Sequence, residues 1–594
     1  MTTIPLNHEQ QAMLNGEQGV ARQMAMRLLL DMAAAAGATE LIPIQSAHLS
    51  GVSPLTGGLG LRQFLARLAD ESGPGVAVPT TLNAAGCDEN QFAAMRITTP
   101  HFLEHNHEIV ELYTRLGVQP TQSCTPYEWE GVVTTGTAAW AESNAICFGN
   151  SYCGLTTNRE SGLSALACAL TGYTPQYGLL LEGARRPNLE VIVMTPLDDP
   201  TDFSILGDWI GKQRKPGWKQ PLGPIPLIKG LPADLNHEQR KALTAAAANY
   251  GCPLLYIEGL GDAPDGEFQD HLVFDTAVLQ QRYDDLRPRS PVSLIAIGCP
   301  QASVGELKAT AQLLRGQTLP TGAPPLWVFT SAHNKAIAEK TGLAEIIRAS
   351  GALLLENTCP EVVPYDQSWV HHVLTNSMKA EHYIKSGLNG IPTSVMRLAD
   401  CVRVARGEWR PEANEARGRG NEKRGTRNGK HAAMTPSAPQ PLSSSVLQSF
   451  TANGRGLPSQ TNFTVRGEAF VTDTPITLLG FVNRETGVIE EEGHPANGQS
   501  MAGKIAIFPK GSGSTVAPYV LLELFYRGKA PIAIVNTDID QQSAPACSLE
   551  GIPYAYHFDG DVIGGIQSGD LVELRRRGEQ VEIEVVARVV GNGR

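Results

Sequence analysis

The stretch VSLIAIGCPQASVGELKATAQLL, residues 292–314, predicts a buried strand, a polar loop and an amphipathic helix in direct succession. Its first six residues are mostly apolar, as in a strand that is covered on both faces. Apolar residues then recur every three or four positions up to Leu314, which is the period of one helix face. The alternation extends along the chain, with strands predicted at 253–257, 326–329 and 352–355 and helices at 237–249 and 333–349. Short apolar strands that alternate with helices predict an α/β fold with mainly parallel sheets.

Two cysteines follow predicted strands, Cys299 in IGCPQAS and Cys359 in ENTCPE. Each is followed by a proline, which keeps its loop out of a helix. In open parallel sheets, ligands bind beyond the carboxyl ends of the strands. We therefore interpret both cysteines as candidate ligand-binding residues, while a chance arrangement among ten cysteines remains the alternative.

A polar segment at residues 120–156 contains three more cysteines, Cys124, Cys147 and Cys153, among many Gly, Ser, Thr and Asn residues. The segment is poor in residues that favour helices or strands. So many thiols, hydroxyls and amides in one place indicate a site rather than a scaffold. An amphipathic helix predicted at 103–116 leads into it, after helices predicted at 1–40 and 61–71 and a glycine-rich loop at 48–60.

Two further polar segments are candidates for substrate binding. Thr157, Asn158 and Arg159 follow the cysteine-rich segment, and an arginine can hold a substrate carboxylate through two hydrogen bonds. A surface loop with an Arg–Glu pair explains the same residues equally well. Asn376 and Ser377, in TNSMKAEHY, have the same polar density and the same two interpretations.

Length and composition narrow the class of protein. A chain of 594 residues with 42% hydrophobic and 18% charged residues should form several domains of a soluble protein. Its net charge of −12 argues against general binding of nucleic acid. The N-terminus lacks a signal-peptide pattern and no apolar stretch is long enough to span a bilayer, so we expect a cytoplasmic protein that binds no membrane. The scattered cysteines include no CxxC pair, which argues against a disulfide framework or a zinc ribbon.

A change of composition at residues 404–446 predicts a linker. The run RGEWRPEANEARGRGNEKRGTRNGK is nearly free of large apolar residues, and MTPSAPQPLSSS is rich in proline and serine. We therefore predict a catalytic part at 1–403 and a separate module at 447–594. The basic run is also typical of an arm that binds nucleic acid, but a solvated tether is the favoured interpretation. Within the module, strands are predicted at 476–482, 504–508, 532–535 and 581–590, and one helix at 516–526.

A glycine-rich turn, KGSGST at residues 510–515, precedes that helix. Glycines allow close backbone approach, and the following helix directs unpaired N–H groups at whatever lies in front of it. A serine there can bind an anion, or act as a base if its alkoxide is stabilised by those donors. A simple helix cap is the alternative, and the Walker spacing of a P-loop is absent.

The segments SNAICFGNSYCGLTTNRESG, IGCPQAS, ENTCP and TNSMKAEHY resemble the large component of the aconitase X family. GFVNRETGVIEEEGHPANGQSMAGKIAIFPKGSGSTVAPYVL resembles its small component, so the two components appear fused, with the large one first. The resemblance covers most of the chain except the linker. It implies a multi-layer α/β large part and a small swivelling β/α domain, with the active site between them.

The resemblance implies a hydro-lyase with an iron–sulfur cluster, in which an open iron polarises the substrate hydroxyl. Cys124, Cys299 and Cys359 are our candidate ligands, with Cys153 in reserve, because loop and strand-end positions can converge at one sheet edge. The CxxC ligand pair of ordinary aconitases is missing. A 2Fe-2S cluster is therefore preferred, with a 4Fe-4S cluster or a single iron ion as alternatives.

The same resemblance assigns the role of base to a serine on the small domain's turn, here Ser514, with Ser512 as the alternative. Arg159 and Lys379 are candidates to hold the substrate carboxylate and stabilise the charge that develops beside it. Fused members resemble cis-3-hydroxy-L-proline dehydratases, which form Δ1-pyrroline-2-carboxylate, so a small hydroxy amino acid is the expected partner.

Three other functions compete with this one. Dehydration of mevalonate 5-phosphate is the nearest, but a phosphate substrate would require more basic residues than the sequence offers. Isomerisation of aconitate or isopropylmalate is weakened by the missing CxxC pair. An iron-responsive RNA-binding protein is the alternative from another class, supported by the basic run and opposed by the net charge. The oligomeric state cannot be predicted from the sequence.

Overall fold

The computed structural model describes residues 4–70, 75–213, 223–386, 388–409, 450–512 and 514–588. We call residues 4–409 the N-terminal part and residues 450–588 the C-terminal part. Most of the predicted linker lies outside the described residues, as does most of the basic run. The predicted domain boundaries at 403 and 447 therefore stay a prediction.

The N-terminal part contains strands and helices in close alternation. Its strands are β1 Leu41–Pro43, β2 Ser46–Leu49, β3 Thr80–Leu82, β4 Gly136–Trp140, β5 Leu155–Thr156, β6 Tyr173–Pro175, β7 Leu189–Val193, β8 Pro226–Lys229, β9 Tyr256–Ile257, β10 Asp270–Phe274, β11 Leu294–Ala302, β12 Leu326–Thr330, β13 Leu353–Glu356, β14 Val373–Thr375 and β15 Thr393–Val395. Its helices are α1 His8–Asn15, α2 Val20–Ala36, α3 Pro54–Asp70, α4 Phe92–Met95, α5 Phe102–Arg115, α6 Ser143–Tyr152, α7 Gly162–Thr171, α8 Pro200–Lys212, α9 His237–Ala248, α10 Thr276–Leu286, α11 Val304–Leu314, α12 Ala332–Lys340, α13 Leu343–Ala349, α14 Met378–Lys385 and α15 Leu398–Ala405.

The C-terminal part is dominated by strands. These are β16 Thr451–Gly456, β17 Thr464–Val471, β18 Ile476–Thr477, β19 Ile505–Phe508, β20 Gly511–Ser512, β21 Ala533–Asn536, β22 Tyr554–Tyr556, β23 Leu571–Arg577 and β24 Gln580–Ala587. Its helices are α16 Leu478–Phe481, α17 Pro518–Tyr526, α18 Ala544–Glu550 and α19 Val562–Gly565.

Three sheets of the N-terminal part are parallel throughout. Their strand orders are β3-β2-β4-β5, β10-β7-β8-β9 and β13-β12-β11-β14-β15. Every residue of β11 is buried, as expected for a central strand that helices cover on both faces. Seven strands of the C-terminal part close a barrel in the order β16-β22-β21-β19-β17-β23-β24. The predicted α/β fold with mainly parallel sheets is confirmed.

Two predicted helices are divided in the structure, and one predicted strand is wrong. The helix expected over residues 1–40 is interrupted between α1 and α2, and the helix expected at 333–349 is interrupted at Gly342, whose φ is 74°. Residues 476–482, predicted as a strand, form the two-residue β18 and then the single turn α16. None of the described helices is long and apolar enough to cross a bilayer.

The predicted loop over residues 48–60 is wrong in that α3 already begins at Pro54, but Gly58 departs from helical geometry within α3, with a φ of 60° and a ψ of −160°. Glycine lowers helix propensity, but here it allows α3 to approach α17 closely. A Cβ atom at Gly60 would lie 2.4 Å from the backbone nitrogen of Glu523 in α17. The two parts of the chain therefore share one hydrophobic core, in which Leu61 of α3 and Leu522 of α17 are both buried.

Candidate active site

Three cysteine-bearing segments meet at the edge of the sheet that contains β11. Cys299, predicted to lie in a loop after a strand, lies inside β11 because that strand extends to Ala302, whereas Cys359 follows β13 and Cys124 lies in the loop after α5. The thiol of Cys359 contacts the thiols of both Cys124 and Cys299. The sulfurs of Cys299 and Cys359 and an oxygen of Glu361 all lie within 4.8 Å of one another. The fold thus brings the three cysteines together and places a carboxyl group beside them.

Gln301 joins these loops to one another. Its Oε1 accepts a hydrogen bond from the Cys124 N–H (3.2 Å), and its Nε2 donates to the carbonyls of Gln122 (3.2 Å) and Thr358 (3.0 Å). Its backbone N–H donates to the Cys124 sulfur at 3.3 Å. The glutamine is fully buried, so water does not compete for these bonds. One side chain therefore fixes the spacing of all three cysteine loops.

A buried lysine, Lys379, lies beside the cysteines between two carboxyl groups. Its Nζ donates to Glu142 Oε1 at 2.5 Å and to the side-chain oxygen of Asn144, and it lies 3.4 Å from Glu361 Oε1. The Cys299 thiol donates to the same Glu361 oxygen at 2.9 Å. A continuous polar network therefore connects the lysine to the thiols.

The charges in this network follow from burial and pairing. Burial would lower the pKa of Lys379, but Glu142 and Glu361 raise it well above its ordinary value. Burial likewise opposes ionisation of Glu142, yet Lys379 outweighs it and lowers the pKa of that carboxyl. For Glu361, burial dominates and raises the pKa despite the lysine. The network is therefore a Lys379–Glu142 ion pair with Glu361 as the carboxyl that holds a proton more readily.

The thiols are neutral in this environment. Burial raises the pKa of Cys299 to about 12 and raises the pKa of Cys124 well above its ordinary value. Contact with the Cys124 thiol lowers the pKa of Cys359, but the Cys299 thiol and burial together raise it well above the ordinary range. Such thiols are poor nucleophiles, and a bound metal ion is what would deprotonate them.

A cavity between the two parts of the chain opens onto these groups. The N-terminal part contributes Cys124, Cys359, Glu142, Glu361, Lys379 and Tyr383, together with Ser50 and Asn83, and the C-terminal part contributes Leu479, Ser514, Thr515 and Val516. The Gly162 N–H donates to the Thr515 carbonyl at 3.0 Å, which ties the serine-bearing turn to the start of α7. The turn and the cysteine network thus face one enclosed space.

Tyr519 fixes α17 against the loop that follows β2. Its hydroxyl donates to the Ser50 carbonyl at 3.0 Å. The ring fits only because its neighbours are glycines. A Cβ atom at Gly51 would lie 2.0 Å from the ring, and one at Gly162 would lie 2.1 Å from the hydroxyl oxygen. Close packing therefore sets the position of the C-terminal part over the cavity.

Three family models match the chain: the aconitase X first domain at residues 3–183, the third domain at 292–407 and the swivel domain at 459–583. The phosphomevalonate dehydratase large subunit of Thermococcus kodakarensis is 34% identical over 390 residues, which are 64% of this chain and 95% of that protein. The chain belongs to the aconitase X family.

Two further likenesses agree with this membership. The cis-3-hydroxy-L-proline dehydratase of Pseudomonas aeruginosa is 33% identical over 419 residues, 67% of this chain and 69% of that protein. The crystal structure of Thermococcus kodakaraensis aconitase X in its holo-form matches with a TM-score of 0.61 at 32% identity, covering 68% of this chain and 100% of that one. These aconitase X relatives are named dehydratases, and the present chain is a hydro-lyase of the aconitase X type.

In this aconitase X protein, several residues predicted to bind substrate use their side chains to hold the backbone. Thr157 Oγ1 donates to the Asn158 carbonyl (2.9 Å) and accepts from the Trp140 N–H (3.1 Å). The Asn158 amide bonds the backbone of residues 177 and 179. Ser377 caps α14, and Asn376 beside it is half-buried. All four lie outside the cavity lining, so their contact with substrate stays a prediction.

Arg159 and the two candidate serines differ in position. The buried Nε of Arg159 has no hydrogen-bond partner among the described residues. Its guanidinium lies near Tyr383, where it opposes the rise in the tyrosine pKa that burial causes. Ser514 lines the aconitase X cavity, and its Oγ accepts from the Val516 N–H at 3.4 Å. Ser512 ends β20, and its side chain lies outside what the structure describes.

Four residues of this aconitase X site carry no signal that marks them in the sequence. Glu142, Asn83 and Gln301 are single polar residues without a ligand-like spacing, and Glu361 follows Cys359 by two positions. The polar segments 297–303 and 356–361 predicted a site, but nothing in them distinguishes these side chains from ordinary loop residues. Only the folded arrangement shows that they face the thiols and the lysine.

Proposed function

We propose that this enzyme dehydrates cis-3-hydroxy-L-proline to Δ1-pyrroline-2-carboxylate. The observation that carries the proposal is the shared cavity, which Ser514, Lys379 and two of the three clustered cysteines line together. In the reaction the C2 proton is removed and the 3-hydroxyl leaves as water. The resulting enamine tautomerises to the cyclic imine.

The cysteine cluster fits an iron–sulfur centre held by Cys124, Cys299 and Cys359. Converging thiols are the ligand type that such centres use, and their raised pKa values mean that they release protons as metal binds. Glu361 offers an oxygen donor at the same place. We favour a 2Fe-2S cluster, with a 4Fe-4S cluster or a single iron ion as the alternatives. When bound, the centre would supply a Lewis acid for the leaving hydroxyl.

Ser514 is our candidate for the base that accepts the C2 proton, and Ser512 is the alternative. The turn that carries Ser514 runs into α17, which begins at Pro518. The N-terminal N–H groups and dipole of a helix favour negative charge in front of them. A serine alkoxide in this position is stabilised, and it can then accept a proton from carbon.

The charge of the cavity supports an amino acid rather than a phosphate ester. Lys379 is the one Lys or Arg side chain among the described residues that line it, and Glu142 and Glu361 already flank its Nζ. A phosphate group would require further cations in the cavity wall, as phosphate sites usually provide, and Arg159, the other candidate cation, lies outside this lining. An ammonium group, in contrast, is favoured beside the Glu142 carboxylate.

The lengths of the relatives give independent support. The match with the hydroxyproline dehydratase of P. aeruginosa covers nearly equal shares of both chains, 67% and 69%. The match with the T. kodakarensis phosphomevalonate large subunit covers 95% of that protein but only 64% of this chain. In overall length, this chain therefore resembles the hydroxyproline dehydratase.

Arg159 and Lys379 are our candidates for the cations that hold the substrate carboxylate. The buried Nε of Arg159, which no described residue pairs with, is a strong donor for such a group. Thr157 and Asn158 directly precede the arginine, and Ser377 caps the helix that carries the lysine. We propose that these three residues and Asn376 support substrate binding by fixing the two cations.

The test is a comparison of substrates on protein purified without oxygen. We expect iron and sulfide to be present and cis-3-hydroxy-L-proline to be turned over faster than mevalonate 5-phosphate. Ser514→Ala should lower turnover by about 10²- to 10⁴-fold and Cys299→Ala should abolish it, but only the second should also lower the iron content. Preference for mevalonate 5-phosphate would move the assignment to the alternative, and full activity in metal-free protein would refute the Lewis-acid scheme.

A further inference from the structure

Two polar atoms in the cavity wall lack partners. Asn83 Oδ1 and Ser50 Oγ are buried, and no described residue forms a hydrogen bond with either. Both residues line the cavity beside Glu142 and Ser514. Buried polar atoms in native proteins are nearly always paired, so an unpaired one that faces a cavity indicates a ligand group that completes it.

The chemistry of that ligand group follows from the orientation of the Asn83 amide. Its Nδ2 donates to Glu142 Oε2 at 2.6 Å, while Glu142 Oε1 accepts from Lys379. Rotating the amide by 180° would place its oxygen against the carboxylate, where two acceptors repel each other. The amide is therefore held with Oδ1 as a free acceptor, and only a donor can satisfy it.

A proline-type substrate offers few groups of this kind. Its carboxylate only accepts hydrogen bonds, and its 3-hydroxyl is the leaving group for which the cysteine cluster is proposed. The protonated ring nitrogen is the remaining donor, and it carries a positive charge. The negative charge of Glu142 lies directly behind Asn83, which favours a cationic donor there.

We propose that Asn83 determines specificity by accepting a hydrogen bond from the protonated ring nitrogen of the substrate. This inference rests on the proposed function and narrows the substrate class to cyclic secondary amino acids. Phosphate and carboxylate groups are excluded from this position, because Asn83 Oδ1 and Glu142 would both repel them.

The test compares two ligands that differ only at the ring atom. L-Proline carries the protonated nitrogen, and (S)-tetrahydrofuran-2-carboxylate has an oxygen in its place. Calorimetric titration of the full chain, purified anaerobically, should show about tenfold or greater preference for L-proline, the usual value of a charge-assisted hydrogen bond. Equal affinities for the two ligands, or no binding of either one, would overturn the inference before any variant is made.

Variants then assign the preference to the asparagine. Asn83→Leu should reduce the L-proline preference about tenfold, whereas the exposed Asn90→Leu should leave it unchanged. If the leucine variant does not fold, Asn83→Ala removes the same acceptor with a smaller side chain and should reduce the preference to the same extent. An unchanged preference in the folded variant would overturn the inference.

Failure of the proposed function gives a different result. Turnover of cis-3-hydroxy-L-proline with an unchanged preference in Asn83→Leu would overturn the inference and leave the proposed reaction in place. If cis-3-hydroxy-L-proline is not turned over but Asn83→Leu still loses the L-proline preference, recognition of the ring nitrogen is supported and the proposed reaction is refuted.

Discussion

Replacing Gln301 with methionine should release the cysteine loops from one another while leaving the surrounding sheet intact. Methionine has similar length and flexibility, so it fills the same buried space without the amide. The change removes three side-chain hydrogen bonds, one from the Cys124 N–H and two to the carbonyls of Gln122 and Thr358. The backbone hydrogen bond from Gln301 to the Cys124 sulfur is retained.

The expected loss of stability follows from the number of bonds. A net contribution of about 1 kcal/mol per hydrogen bond gives about 3 kcal/mol in the free energy of unfolding. Two of the three backbone groups left behind, the Cys124 N–H and the Thr358 carbonyl, are buried, so the true loss should exceed this value rather than fall below it. Loss of a residue that orients metal ligands typically lowers metal affinity by 10- to 100-fold, and we expect iron affinity to fall by roughly that factor.

Gln460 in the C-terminal part provides a matched control. It also makes three side-chain hydrogen bonds, to the carbonyls of Cys547 and Ile552 and from the Tyr554 N–H. The C-terminal part contributes none of the three clustered cysteines. Gln460→Met should therefore cost similar or slightly less stability, because the residue is half-buried, but it should not affect iron.

The assay pairs calorimetric unfolding with iron content and the visible spectrum of anaerobically purified protein. We expect both variants to melt earlier and only Gln301→Met to lose iron under a graded chelator challenge. Equal iron retention in the two variants would show that the glutamine contributes only to stability. That result would refute our view that it sets the geometry of the cysteine cluster.

Three further changes test other parts of the site. Ser514→Ala should lower kcat by about 10²- to 10⁴-fold in a substrate turnover assay, with iron content unchanged. If only Ser512→Ala shows this loss, Ser512 is the base instead. Burial raises the pKa of Asp31 to about 6, so between about pH 4 and 6 this carboxyl holds a proton in the folded protein but has lost it in the unfolded chain. The free energy of unfolding should therefore fall as pH rises from about 4 to 6. Asp31→Asn should flatten the pH dependence of the melting temperature in that window, and an unchanged slope would refute the assignment. Tyr519→Phe removes two buried hydrogen bonds between the two parts of the chain, to the Ser50 carbonyl and with the Tyr113 hydroxyl, so kcat/KM should fall several-fold with a loss of about 1 to 2 kcal/mol in stability. Tyr526→Phe, away from the cavity, should affect stability alone.

The periodic elements were largely predictable because their signal is local. Residues 516–526 were predicted as a helix, and α17 occupies Pro518–Tyr526, with a proline in its first turn as helices favour. Residues 294–297 of the apolar run at 292–297 form the first four residues of β11. The failures occur where tertiary packing overrides local preference. The glycines at 57, 58 and 60 resemble a loop in sequence, and Gly58 does break the helical geometry, but α3 runs through them because α17 packs directly against that face.

The site was only partly predictable for a related reason. Cys299 and Cys359 were marked by their places after apolar strands, which is a pattern that sequence carries. Glu142 and Gln301 have no such mark, because their partners lie far away along the chain. Glu142 bonds Lys379 across 237 positions, and Gln301 bonds the Cys124 loop across 177. Contacts between residues so far apart along the chain depend on the fold topology, so no local spacing in a single sequence marks them.

The division of the site between two parts of the chain has an energetic consequence. The thiols, Lys379 and Glu142 come from the N-terminal part, and Ser514 comes from the C-terminal part, so neither part alone holds the full set. The T. kodakarensis relative is named a large subunit, and its match covers 64% of this chain. Here both parts belong to one chain, and docking is intramolecular. The linking segment sets an effective concentration, so the shared core and contacts such as that of Tyr519 can hold Ser514 over the cavity without the affinity that two free subunits would require.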